Sequence, residues 1–165
     1  MTRVIAFADQ KGGVAKTTST LNLAVAFAEQ GLRVLIVDLD PQGNLTMSQG
    51  LNPDTIDRSM YDVLVHRLPI EQVLHKGEVD LAVSSIDLAG AELALSSLIG
   101  RERALEKGLA PVKDDYDWIL IDTVEGRVES MGWRAVHLRT FTWDLVSVPN
   151  TVIAKARVQN FSQPD

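Results

Sequence analysis

The chain has 165 residues, 45% hydrophobic and 23% charged, with a net charge of −6. That size suits one domain with a real core, and the composition is ordinary for a soluble globular protein. Lack of cysteine excludes disulfides and thiolate metal sites. The acidic balance argues against whole-surface attraction to nucleic acid or anionic lipid, and no apolar run approaches the ~20 residues that span a bilayer.

In chain order, Arg3–Ala8 is a short β-branched and apolar run, followed by the Gly-containing stretch Lys11–Thr18. Thr17–Gln30 carries Leu21, Ala24, Val25 and Ala28 at helical spacing, and Gly31 is a natural stop. Arg33–Asp38 is a second apolar run and Trp118–Asp122 a third. None of the three alternates, so each reads as a strand buried on both faces. The first two, with the helix between them, make one βαβ unit with a right-handed crossover. Ser59–His66 and Ile70–Leu74 read as helical and Val79–Val83 as a strand. Ala91–Leu109 reads as one or two helices around Gly100. This alternation predicts a three-layer α/β domain with a mainly parallel sheet.

The stretch Lys11-Gly-Gly-Val-Ala-Lys-Thr-Thr18 follows the first strand and opens the first helix. A helix N-terminus offers unpaired backbone N–H groups and the positive end of the dipole. Gly12 and Gly13 let successive amides point inward at phosphate oxygens, with Val14 and Ala15 continuing the loop. Lys16 reaches for the β- and γ-phosphates, Thr17 offers a hydroxyl to Mg²⁺, and Thr18 lies beside it. At Ala15 a negative φ is expected, since a left-handed alanine costs roughly 1–2 kcal/mol.

Asp38-Leu-Asp-Pro-Gln-Gly-Asn44 ends the second strand. Ligands of open α/β sheets sit beyond the carboxyl ends of strands, which puts Asp38 and Asp40 at the phosphate-loop edge. A carboxylate there either holds Mg²⁺ through water or orients an attacking water. Asp122 closes the third strand after Ile-Leu-Ile. It reads either as an acid supporting the Mg²⁺ shell or as a helix-cap or turn residue.

The loop lacks the glycines that the ordinary Walker A pattern has at the positions of Gln10 and Ala15. It matches the deviant pattern Lys-Gly-Gly-x-x-Lys-Thr in full. With Asp-Leu-Asp-Pro-Gln-Gly-Asn and Tyr-Asp-Trp-Ile-Leu-Ile-Asp-Thr, it makes residues 1–123 resemble the ParA/Soj group of P-loop ATPases, relatives of MinD. The resemblance implies a P-loop NTPase fold, incomplete here on its C-terminal side, and ATP with Mg²⁺ as cofactors. It implies an ATP-dependent homodimer in which Lys11 reaches the partner's nucleotide. Lys16 and Asp40 join Lys11 in slow hydrolysis, with Asp40 as the hydrolytic carboxylate, Asp38 as a supporting acid and Pro41–Asn44 as the start of a switch loop. Thr17, Asp40 and Asp122 are the expected metal-shell residues. A ParB-like partner, non-specific DNA, a plasmid or chromosome cargo and a cytoplasmic or nucleoid-associated location follow from the resemblance alone. A MinD-like membrane cycle would need a basic amphipathic C-terminal helix, for which 151–165 hold too few apolar residues.

The resemblance stops at Thr123. Family members continue with Pro-Pro-Ser where this chain has Val124-Glu-Gly-Arg. Residues 124–165 are therefore expected to be a divergent tail from truncation or a shifted reading frame. The acidic excess lies entirely before this point. Within the tail, Asp144–Pro149 weakly resembles the family's next core strand. The Arg127, Arg134 and Arg139 series reads either as a basic strip for nucleic acid or as part of a solvated tail. His66, His75 and His137 have no metal-ligand spacing and read as surface or packing residues.

Overall fold

In the computed structural model the described residues are 2–7, 15–96 and 98–123, together with the backbone of strands within 126–149. A five-stranded sheet runs in the order β1-β5-β2-β4-β3. Its strands are β1 (Arg3–Phe7), β2 (Val34–Leu39), β3 (Leu74–His75), β4 (Asp80–Ala82) and β5 (Trp118–Thr123). All neighbours are parallel except β3, which pairs antiparallel with β4 at one edge. At the other edge β1 is hydrogen-bonded to β5 alone in this sheet.

The two central strands explain why their sequences are continuously apolar. Val34–Asp38 of β2 and Ile119–Thr123 of β5 are buried at every position, so both faces of the sheet are covered. The helices are α1 (Lys16–Ala28), α2 (Asn44–Ser48), α3 (Met60–Val65), α4 (Ala91–Ser96) and α5 (Ala104–Leu109). Helix α1 packs on β2 and β5, while α3 packs on β2, α4 and α5. Gly31, at φ +79°, ends the turn after α1 as its sequence position predicts. Helix α3 starts at a capping box, with the Ser59 hydroxyl accepting from the Tyr61 N–H and Asp62 accepting from the Ser59 N–H.

The predicted elements recur with ends shifted by one or two residues. Ile70–Val73 and Arg101–Arg103 are 3-10 turns rather than α-helix. Helix α2 and strand β3 carry no periodic signal because both are too short. The last strands, β6 (Gly126–Met131), β7 (Ala135–Thr140) and β8 (Leu145–Pro149), form a separate antiparallel sheet in the order β6-β7-β8. The segment taken from its resemblance as a core strand is therefore a strand, but it pairs with β7 and not with the parallel sheet.

Candidate nucleotide site

Register brings the predicted acids to one edge. Phe7, Asp122 and Asp38 are lateral partners across β1, β5 and β2, so the three strands deliver their carboxyl ends together. Strand β1 ends at this level, and Thr123 Oγ1 donates to the Phe7 carbonyl at 2.8 Å. Lys11, Gly12, Gly13 and Val14 lie outside the described residues.

The described half of the loop corrects one expectation. Ala15 sits at φ +61°, ψ +32°, in the left-handed region, as the N-cap of α1. The chain must turn there so that the Ala15 carbonyl can accept from the Ser19 N–H and start the helix. The fold holds a conformation that glycine would adopt without strain.

Helix α1 then presents its first turn to the acids. Thr17 Oγ1 donates to Asp122 Oδ2 at 2.6 Å. Asp122 is 1% exposed and lies inside β5, which removes the helix-cap and turn alternatives. Its other oxygen, Oδ1, is buried and has no hydrogen-bond partner among the described residues. An ionisable carboxylate with an orphan lone-pair face is costly unless a donor or cation meets it. Burial raises its pKa to about 6, opposed by the Thr17 hydrogen bond, reinforced by the Asp40 charge and opposed again by Lys16. Lys16 and Thr17 are half-buried, and Thr18 is exposed on the same turn.

Asp38 and Asp40 part company. Asp38 is fully buried. Its Oδ2 accepts from both the Thr46 N–H, at 2.9 Å, and the Thr46 hydroxyl, at 2.7 Å. Its Oδ1 accepts from the Asp40 N–H at 3.1 Å. Burial nevertheless raises its pKa to about 6. Strand β2 ends at Leu39, so Asp40 leaves the sheet, is half-buried, and closes a local turn by accepting from the Gln42 N–H at 2.9 Å. Asp38 thus braces the loop and Asp40 is its forward carboxylate. Gly43 caps α2 at φ +61°, and a Cβ there would collide with the Pro53 ring. Sequence reasoning missed Thr46 and Ser84. Both are fully buried hydroxyls tied into this loop, and neither falls in a motif that names a role.

The set of Thr17, Asp122 and the nearby Asp40 fits a hard cation shared with phosphate oxygens and water, the usual manner of Mg²⁺. The orphan Asp122 oxygen is the observation that supports this fit. Among the described residues no group of three or more His, Cys, Asp or Glu forms a complete metal cage. His66 instead bonds Asp62 at 3.0 Å and meets the Tyr61 ring edge-on. His75 is exposed. His137 and the Arg127, Arg134 and Arg139 series lie outside the residues whose side chains are described.

A parallel sheet whose first βα turn feeds a Lys-Thr helix start, with that threonine bonded to an acid at the end of a neighbouring strand, defines the P-loop nucleotide-binding class. Residues 2–127 match the family model described as an AAA domain, and the chain belongs to that family. Within it the chain is ParA/Soj-like. It is 42% identical over 125 residues to the sporulation initiation inhibitor protein Soj of Bacillus subtilis, covering 74% of this chain and 49% of that protein. It is 40% identical over 123 residues to the chromosome partitioning protein ParA of Myxococcus xanthus, covering 73% and 44%. Among solved structures it matches the cobyrinic acid a,c-diamide synthase of Mycobacterium smegmatis, which was solved with a bound ATP analog and magnesium. The TM-score is 0.72 at 47% identity, over 74% of this chain and 51% of that one. The chain spans less than half the length of the curated relatives it matches.

A second model, the β-domain of mechanosensitive ion channels, matches residues 116–163 and overlaps the first. No helix among the described residues is long and apolar enough to cross a membrane.

Proposed function

We propose that residues 2–123 bind Mg·ATP and serve a ParA-like partitioning ATPase. The carrying observation is the Thr17–Asp122 hydrogen bond with its orphan Asp122 oxygen, where the first turn of α1 meets β5. Bound Mg·ATP supplies a transferable γ-phosphoryl group with its charge partly neutralised by the metal. Lys16 would bind the phosphates and Thr17 the metal, with Asp122 holding the metal's water shell and Asp40 orienting the attacking water. Lys11, Gly12, Gly13, Val14, Ala15 and Thr18 would complete the phosphate cradle, and Lys11 would reach across an ATP-dependent homodimer. Slow hydrolysis, a ParB-like partner, non-specific DNA and a cytoplasmic or nucleoid-associated location belong to the same proposal, supported by the names of the relatives.

The deciding experiment is equilibrium binding of Mg·ATP to the purified 165-residue chain beside Lys16→Ala. Binding in the micromolar range, weakened at least about 100-fold by Lys16→Ala, is expected. A folded chain that binds no Mg·ATP overturns the proposal.

The tail favours a second reading. Its match to a channel β-domain and its own antiparallel sheet support a composite chain, in which a separate β module replaces the second half of the ATPase. Such a chain would keep the phosphate site and lose turnover. Phosphate release that is abolished by Asp40→Ala would exclude the binding-only version.

A further inference from the structure

Four residues around the switch loop form a closed ring of hydrogen bonds. The Asp40 N–H donates to Asp38 Oδ1, and the Thr46 hydroxyl and N–H donate to Asp38 Oδ2. The Ser84 N–H donates to Thr46 Oγ1 at 3.0 Å, and the Ser84 hydroxyl closes the ring by donating to the Asp40 carbonyl. Asp38, Thr46 and Ser84 are each 0% exposed. The ring joins the end of β2, the switch loop, α2 and the segment after β4; Asp38 and Ser84 bond the Asp40 backbone directly, and Thr46 links the two of them.

Both peptide groups flanking the Asp40 side chain are therefore held from outside the loop. The carbonyl also accepts from the Gly43 N–H at 2.9 Å, so losing the serine hydroxyl leaves it with a donor. Removing that hydroxyl should loosen the loop without orphaning a buried group. A carboxylate that must aim a water depends on this kind of fixation, because small misplacements cost rate rather than binding.

We propose that Ser84 and Thr46 are positioning residues that fix Asp40 for water activation through this ring. The proposal rests on the ATPase reading for its kinetic consequence, but the fixation itself can be measured without nucleotide. The experiment compares the full chain with Ser84→Ala, Thr46→Val and Thr46→Ser. In backbone amide hydrogen exchange, Ser84→Ala and Thr46→Val should speed exchange at Gln42, Gly43 and Thr46 by about tenfold or more, leaving Leu35–Val37 of β2 unchanged. In steady-state hydrolysis they should lower kcat about tenfold with KM for ATP within about twofold. Thr46→Ser, which keeps the hydroxyl, should restore both. Unchanged loop exchange in Ser84→Ala overturns the positioning role whatever the kinetics. Faster loop exchange with unchanged kcat overturns the link to water activation. If the unaltered chain does not turn over, the ATPase reading falls, and the exchange arm still decides whether the ring fixes Asp40.

Discussion

The two ends of the central strands handle acid groups in opposite ways. At the amino end of β5, Asp117 meets Arg33, just before β2, in a forked pair, with Nε at 3.2 Å and Nη2 at 3.0 Å. It also accepts from the Arg33 N–H at 2.9 Å. Those contacts, led by the side-chain hydrogen bonds, lower its pKa to about 2. Nearby, Asp80 accepts from Lys76 and from the Tyr116 hydroxyl, each at 2.6 Å. At the carboxyl end, Asp38 and Asp122 are buried at laterally paired positions, and burial raises both to about 6. One end of the sheet satisfies its charges internally. The other buries two carboxylates, at a standing cost in stability while they are charged.

The largest expected effect is on pH dependence. An unfolded aspartate titrates near 3.9, so between about pH 4 and 6 the folded chain binds more protons than the unfolded one. Ligand-free stability should therefore fall as pH rises through that window, on the order of 3 kcal/mol for the coupled pair, and level off above it. Asp117 works in the other direction. It contributes stability above the unfolded value that is lost as pH falls toward about 2. Urea midpoints at pH 4, 5, 6 and 7 check this, and a flat profile breaks the contrast between the two ends.

Single substitutions sharpen it. Asp122→Asn can keep the Thr17 contact on its carbonyl oxygen while removing the buried charge. It should raise stability by about 1 kcal/mol and weaken Mg·ATP binding by about 10- to 100-fold. Asp117→Asn should do the reverse on a smaller scale, with a slightly lower unfolding midpoint and unchanged affinity, because its partner is exposed and screened. Paired calorimetric unfolding and binding titrations decide both. Equal responses at the two sites would mean the ends are not specialised.

Much of this was legible in the sequence because the signals are physically strong there. Two of the three continuous apolar runs are doubly covered strands, whereas β1, at the sheet edge, is exposed or only half-buried throughout and corrects that expectation; Lys16, Thr17 and Asp122 sit where strand ends and a helix start meet. Asp38 and Asp40 were both read at the phosphate-loop edge, but β2 stops at Leu39, between them, and Asp38 takes a bracing role. The roles of Thr46 and Ser84 were illegible because the two residues lie 38 apart in sequence and the Ser84 hydroxyl meets a carbonyl 44 residues away. The backbone of Ala15 was misjudged because side-chain type alone does not report a turn that the neighbouring helix start imposes. Of the tail strands, β6 and β7 escaped notice because period-two patterns over six residues are faint.

The left-handed alanine has a consequence for how this molecule can change over generations. Alanine and glycine codons differ at a single base, so relief of the strain at Ala15 is among the shortest steps open to the gene. Relief of roughly 1–2 kcal/mol of strain is set against the entropy that an added glycine gives the unfolded chain, roughly 0.4–1 kcal/mol. A population grown under selection for heat tolerance of this protein should meet glycine at position 15 early. Whether nucleotide exchange slows or quickens in those survivors would reveal what the tense turn contributes.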